Sequence, residues 1–257
     1  MCCMPPIGID LFWTSASRVV PIRNGKDCGN ATGFFYVRGN RRFLVTNRHV
    51  VIDEKRNFYP DALRIRVHAD SSDLRRNEDL LISLYDNAKQ KLWLEHPQYG
   101  SHADIVCLSL EGILGSQHLV NLLKSDAFLP SDLVLTIGQD AVVLGFPLGF
   151  HDDVLNLPVL RSAMVSTPYP AGFRGMPFFL IDARLHEGIS GSPVFTKPTS
   201  MFMDRSGSTR IFTGTPAFLI GIVSAALPPN LGDNPLGLYV VWFANLVEEI
   251  ASQDTRI

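Results

Sequence analysis

The sequence predicts an all-β protein: two six-stranded antiparallel β-barrels followed by a short C-terminal helix. Three observations carry that expectation. Short apolar, β-branched or aromatic runs recur along the 257 residues, separated by turn residues at hairpin spacing. "IRVH" and "LISLY" alternate apolar and polar residues with period two, as half-buried strands do. Helical segments are few and short. Closing each strand set into a barrel is economical because it removes exposed strand edges.

The elements follow in order. A first series of strands is expected at 18–23, 31–38, 41–47, 62–69, 80–85 and 103–110. A second series is expected at 140–146, 159–166, 178–185, 192–196, 218–226 and 238–244. The break near 112–138 divides the chain into an N-terminal barrel at 10–120, a linker at 121–138 and a C-terminal barrel at 139–244. A helix and tail follow at 245–257. "RGNRR" (38–42) reads as a solvated hairpin tip, and "KPTSMFMDRSGSTR" (197–210) as an exposed loop. Short helices are expected at 47–54 and 116–124. A better one spans 245–253, with Asn245 as its cap and Leu246, Val247 and Ile250 as its buried stripe.

Composition narrows the function. The chain is 46% apolar, enough for a sizeable core, and has a net charge of −2 with no long run of Lys or Arg. Neither nucleic acid nor an anionic membrane is expected as a partner. No apolar run approaches 18 residues. The four cysteines, Cys2, Cys3, Cys28 and Cys107, show no CxxC spacing, so neither a disulfide framework nor a metal site is expected. His96 and His102 lack recognisable ligand spacing, and no cofactor is implied. Cys107, inside "IVCLSL", reads as a buried small hydrophobe. The start, "MCCMPPIGID", lacks the basic residues and apolar core of a signal peptide, and a reducing, cytoplasmic setting is expected.

The chemistry centres on "HEGISGSPVF" (186–195), where Ser190 and Ser192 stand among glycines before Pro193. Taken alone, such a stretch is more often a Gly/Ser turn entering a strand. A nucleophilic serine needs a base, and the base an orienting acid. His49 directly follows an apolar strand in "FLVTNRHVV", where a strand end can hold a polar side chain at the edge of a core. Asp104 opens the apolar run "ADIVCLSL", where a carboxylate becomes partly buried and needs a donor such as an imidazole N–H. Each alone has a plain structural reading, a satisfied histidine or an Asx-turn. Together, two fall in the first strand set and one in the second, as a site in an inter-barrel cleft requires.

These segments resemble the chymotrypsin-fold (trypsin-like) serine proteases, in the style of disulfide-free bacterial HtrA-type protease domains. The resemblance rests on "TNRHV", "ADIV" and "GISGSPV" in that order. It is supported by "ATGFFY", "AVVLGFPLGF", "IDARLHEGISGSPVF", "LIGIVSAA" and "LYVVWFANL" over roughly residues 18–250. It implies a serine endopeptidase acting on proteins or peptides through an acyl-enzyme on Ser190. His49 would be base and then acid, and Asp104 would orient it. The backbone N–H groups of Gly188 and Ser190 would form the oxyanion hole. By the same resemblance, Ser224 bonds the acid, and Arg184, Leu185, Glu187, Ser224, Ala225 and Ala226 line the substrate pocket.

The sequence departs from the family in ways that bear on activation. Residue 189 is Ile where self-activating members carry an Asp, and no I-V-G-G-like start is present. Glu187 stands where HtrA-type members often have Pro. The oxyanion loop must therefore be ordered differently, or ordered by a partner. The competing expectations are a protease-fold binding or scaffold module, and an effector switched on by a protein activator.

Overall fold

The computed structural model describes residues 8–227 and 236–254. Cys2, Cys3 and the end of the expected C-terminal tail lie outside them. Strands are the main regular structure of the described residues, with a few single helical turns and a short C-terminal helix.

The first half contains β1 (Ala16–Arg23), β2 (Lys26–Asp27), β3 (Ala31–Arg38), β4 (Arg41–Thr46), the one-turn helix α1 (Arg48–Val51), β5 (Ala62–His68), β6 (Asn77–Ser83), β7 (Trp93–Leu94) and β8 (Val106–Ser109). The second contains β9 (Leu133–Val134), β10 (Asp140–Gly145), β11 (Val159–Val165), β12 (Phe178–Ala183), β13 (Pro193–Thr196), β14 (Met201–Asp204), β15 (Thr209–Ile211), β16 (Leu219–Leu227), β17 (Leu238–Phe243) and the helix α2 (Asn245–Ala251).

Six strands of the second half close into a barrel in the order β10-β11-β12-β17-β16-β13. The first half is an eight-stranded sheet, ordered β6-β5-β1-β3-β4-β8-β7 with β2 beside β1. Its hydrogen bonds do not close a ring among the described residues, because β7, not β6, takes the free edge of β8.

The continuous apolar runs of β3 and β4 follow from their place between two cores. Phe35 and Leu44, paired across the strands, pack with Leu63 and Ile65 inside the first half. Their neighbours Phe34, Tyr36, Phe43 and Val45 face the other way, into a core shared with Val143, Phe195 and Val223 of the barrel. With both faces covered, a strand loses the alternation expected of a half-buried one. Burying each such side chain is worth about 1.5–3 kcal/mol. Helix α2 joins the same core through Leu246, Val247 and Ile250. Its Glu248 bonds the Tyr36 hydroxyl and the Arg38 guanidinium of β3.

Several expectations are corrected. Residues 197–210 are not a plain loop: β14 and β15 pair as a hairpin that continues to β9. Residues 116–124 form no helix; Leu119 and Leu123 make single bridges to His68 and Tyr36, tying the segment onto the first sheet. Asn245 does not cap α2 with its side chain, which donates to Glu249 one turn on, and Ala244 occupies the cap. "RGNRR" is the tip of the β3–β4 hairpin, and Cys107 is buried.

Candidate active site

His49 lies on α1, directly after β4. The helix is one turn long and is held by Arg48, whose guanidinium bonds Glu54 at 2.6 and 2.9 Å and Glu95 at 3.1 Å. The backbone N–H of His49 donates to Asp104 Oδ1 at 2.9 Å, and ring Nδ1 meets Oδ2 at 2.7 Å. Asp104 thus fixes both the helix and the ring on it. Asp104 sits in the lead-in to β8, where the buried Asn47 donates to its carbonyl at 2.7 Å. This contact leaves ring Nε2 without a partner among the described residues.

Burial lowers the basicity of the imidazole, but the Asp104 charge and hydrogen bond outweigh it, so the pKa of His49 is raised above its ordinary value. The ring stays one-third exposed and open to the cleft.

The second half supplies the rest through a bulge. Between Val223 and Ala226 the pairing of β16 with β17 shifts register, with Ser224 and Ala225 in the irregularity. Bulges redirect side chains in this way. The Ser224 hydroxyl donates to Asp104 Oδ2 at 2.5 Å, and the Ser224 carbonyl accepts from Ser190 Oγ at 3.2 Å. His49, Asp104, Ser224 and Ser190 therefore form one connected set across the two halves. Among the described residues no hydrogen bond joins Ser190 Oγ to the His49 ring.

The loop before β13 is strapped at successive residues. The Glu187 carbonyl accepts from Leu148 N at 2.6 Å, the Gly188 carbonyl from Thr32 Oγ1 at 2.8 Å, and the Ser190 carbonyl from Thr32 N at 2.8 Å. Gly191 N donates to Val223 O at 2.9 Å. A trans peptide holds its C=O and N–H in opposite directions. With the Glu187 carbonyl turned onto Leu148, the Gly188 N–H points the other way. Neither Gly188 N nor Ser190 N has an acceptor among the described residues. Gly188 adopts φ +90°, and a Cβ there would sit 2.1 Å from Asn30 Nδ2 and 2.6 Å from the Phe146 carbonyl, so only glycine fits.

Sequence reading missed Thr32, Asn30, Asn47 and Leu148. Thr32 Oγ1 also accepts from Phe146 N at 3.1 Å, and its carbonyl accepts from Thr46 Oγ1 at 2.8 Å. A lone threonine in an apolar strand gives no signal of such a junction. Ser192 is fully buried and its hydroxyl has no hydrogen bond.

Of the expected pocket residues, Leu185 is buried, and its carbonyl accepts from the Tyr239 hydroxyl at 2.7 Å. Arg184 and Glu187 are exposed, Ala225 is exposed and Ala226 half-buried. The Arg184 carbonyl is held by Arg161 at 2.7 Å. Both ring nitrogens of His96 are engaged, with Glu249 and with the N–H groups of Gln98 and Tyr99. No helix among the described residues is long and apolar enough to cross a membrane.

The family model described as "trypsin-like peptidase domain" matches residues 31–200, about two-thirds of the chain. No curated protein matches. Two of the solved structures to which the chain is similar illustrate the likeness. One is a serine-to-alanine variant of Rv3671c from M. tuberculosis H37Rv in its inactive form, 16% identical with a TM-score of 0.49, covering 94% of this chain and 88% of that one. The other is the Rv3671c protease in its inactive form, 17% identical with a TM-score of 0.47, covering 93% and 88%.

Proposed function

This chain belongs to the trypsin-like peptidase family, and from that premise we propose that it is a serine endopeptidase with Ser190 as nucleophile. The observation that carries the reading is the connected set from His49 through Asp104 and Ser224 to Ser190, beside two unengaged backbone N–H groups. Asp104 holds Nδ1, so Nε2 is the nitrogen that takes the Ser190 proton. For attack, Ser190 Oγ leaves the Ser224 carbonyl by rotating about χ1, a fast motion for a partly exposed hydroxyl. It then adds to the substrate carbonyl while Nε2 accepts its proton. The developing oxyanion faces Gly188 N and Ser190 N, whose positions need no rearrangement. The imidazolium, stabilised by Asp104, returns the proton to the leaving amine as the acyl-enzyme forms. Water, deprotonated by His49, then releases the acyl group. The substrate is a protein or peptide, and the exposed Arg184, Ala225 and Glu187 lie on the surface available to it.

A second reading, a module switched on by a protein partner, draws on one observation: the Ser190 hydroxyl is on Ser224 rather than on His49. Fluorophosphonate labelling, read by peptide mass spectrometry, separates the two. The peptidase reading expects label on Ser190 alone, lost in Ser190→Ala and His49→Ala and kept in Ser192→Ala. Absence of label on folded wild type would refute it in favour of the second.

A further inference from the structure

The outer face of β1, β5 and β6 carries charged side chains. Arg18 lies on β1, Arg64 and Arg66 on β5, and Asp79 on β6 opposite Arg66. The loop after β10 folds over this face, and with it forms an open pocket of about 240 Å³. That is too small for most drug-sized ligands, which occupy roughly 300–1,000 Å³.

Its charges are matched unequally. Arg66 holds both oxygens of Asp79, at 2.6 and 3.1 Å, and Arg64 reaches Asp27 at 2.5 Å. Asp153, from the covering loop, is 91% exposed beside His151. Arg18 is different. It is half-buried, and among the described residues its partner is neutral: Nε donates to Asn30 Oδ1 at 2.6 Å. The two terminal nitrogens of Arg18 have no hydrogen bond among the described residues. These donors stay open to solvent, where a ligand can reach them. A guanidinium fork lining a pocket suits two-pronged binding of an oxyanion. Gly149 leaves it room, since a Cβ there would lie 3.0 Å from Arg18 Nη2.

We propose that this pocket binds a small oxyanion, a phosphoryl group above all, through Arg18, and that the anion steadies the oxyanion peptide. The second half of this proposal rests on the peptidase reading above. Asn30 is the link. Its Oδ1 takes the Arg18 Nε, its Nδ2 donates to the Phe146 carbonyl at 3.0 Å, and that amide lies directly behind Gly188. An anion on the terminal nitrogens leaves Nε on Asn30 and so holds the brace in place.

The test is calorimetric titration of the full chain with inorganic phosphate, against chloride at matched ionic strength, alongside the rate of fluorophosphonate labelling. Saturable one-to-one binding is expected. Arg18→Gln weakens it at least about ten-fold, as loss of charge-assisted hydrogen bonds does, and Arg18→Lys falls between. Asp153→Asn, at an exposed position that folding does not depend on, tightens binding about two- to three-fold by removing a repulsive surface charge. Phosphate speeds labelling of wild type but not of Arg18→Gln. Absence of binding, or equal binding by Arg18→Gln, overturns the site. Binding that leaves the labelling rate unchanged overturns its action on the oxyanion peptide. Failure of wild type to label with or without phosphate sinks the peptidase reading, and calorimetry still decides the site.

Discussion

Replacing Thr32 with valine removes one hydroxyl and keeps the shape of the side chain. Thr32 is fully buried, and its Oγ1 donates to the Gly188 carbonyl while accepting from Phe146 N. The valine leaves both groups without that partner inside the protein. Each unsatisfied buried group costs about 1–3 kcal/mol, so the pair costs about 2–6 kcal/mol. For a chain of this size that corresponds to a fall in Tm of about 4–24 °C. The peptide that presents Gly188 N then keeps its Leu148 strap, while the next peptide, which carries the Gly188 carbonyl, loses its Thr32 one and leaves Gly188 held from one side. Complete loss of an oxyanion donor costs about 10²–10³-fold in rate, which bounds the effect from above, and a loosened donor should slow the chemistry about ten-fold or more. The assay pairs thermal melting with the rate of fluorophosphonate labelling, measured well below the variant's Tm. Thr32→Ser, which keeps the hydroxyl and drops the methyl, should recover most of the rate. Wild-type labelling by a folded Thr32→Val protein would show Thr32 to be a packing residue and refute the strapping argument.

Other outcomes follow from the same geometry. His49 must be neutral to act as base, and its pKa is raised, so the labelling rate should fall as pH drops through a value above the ordinary histidine pKa of about 6.5. Asp104→Asn removes the charge responsible, moves that limb to lower pH, and lowers the plateau about 10³–10⁴-fold; an unmoved limb would detach Asp104 from His49. Gly188→Ala puts a methyl 2.1 Å from Asn30 Nδ2 at a φ that disfavours alanine, and labelling should be lost while circular dichroism still reports a folded β protein. Ser192→Ala deletes a buried hydroxyl with no hydrogen bond, so its Tm should match or exceed that of wild type by differential scanning calorimetry.

What could be read from the sequence was what depends on local pattern. Apolar runs at hairpin spacing mark strands because each strand must bury at least one face, and His49, Asp104 and Ser190 stand out as polar residues at the edges of those runs. In the fold the His49 ring and the Ser224 hydroxyl meet on the one Asp104 carboxylate. What depends on tertiary contacts was not legible. Thr32 looks like any threonine in a strand until the second half supplies Gly188 and Phe146 as its partners. The helical pattern of 116–124 gives way because Leu119 and Leu123 pair with the first sheet, and such bridges outweigh weak local propensity. In 201–211, alternate exposed Met and Ile side chains hid a hairpin whose buried anchor is Phe202. The open first sheet depends on the two-residue strand Trp93–Leu94 capturing an edge, and a strand that short carries no period.

Strands β3 and β4 belong to both cores, and this bears on how the chain can be divided. A cut near residue 131, before β9, separates the two strand sets without breaking either. Yet the first fragment then bares Phe34, Tyr36, Phe43 and Val45 on one broad surface, and the second loses the layer that covers Val143, Phe195 and Val223. Neither piece is self-sufficient, whereas the two together regain a continuous interior. The proposed active site spans the same seam, with His49 and Asp104 on one fragment and Ser190 and Ser224 on the other. The molecule is thus suited to complementation: two inert halves fused to interacting proteins should recover Ser190 reactivity only when those proteins meet.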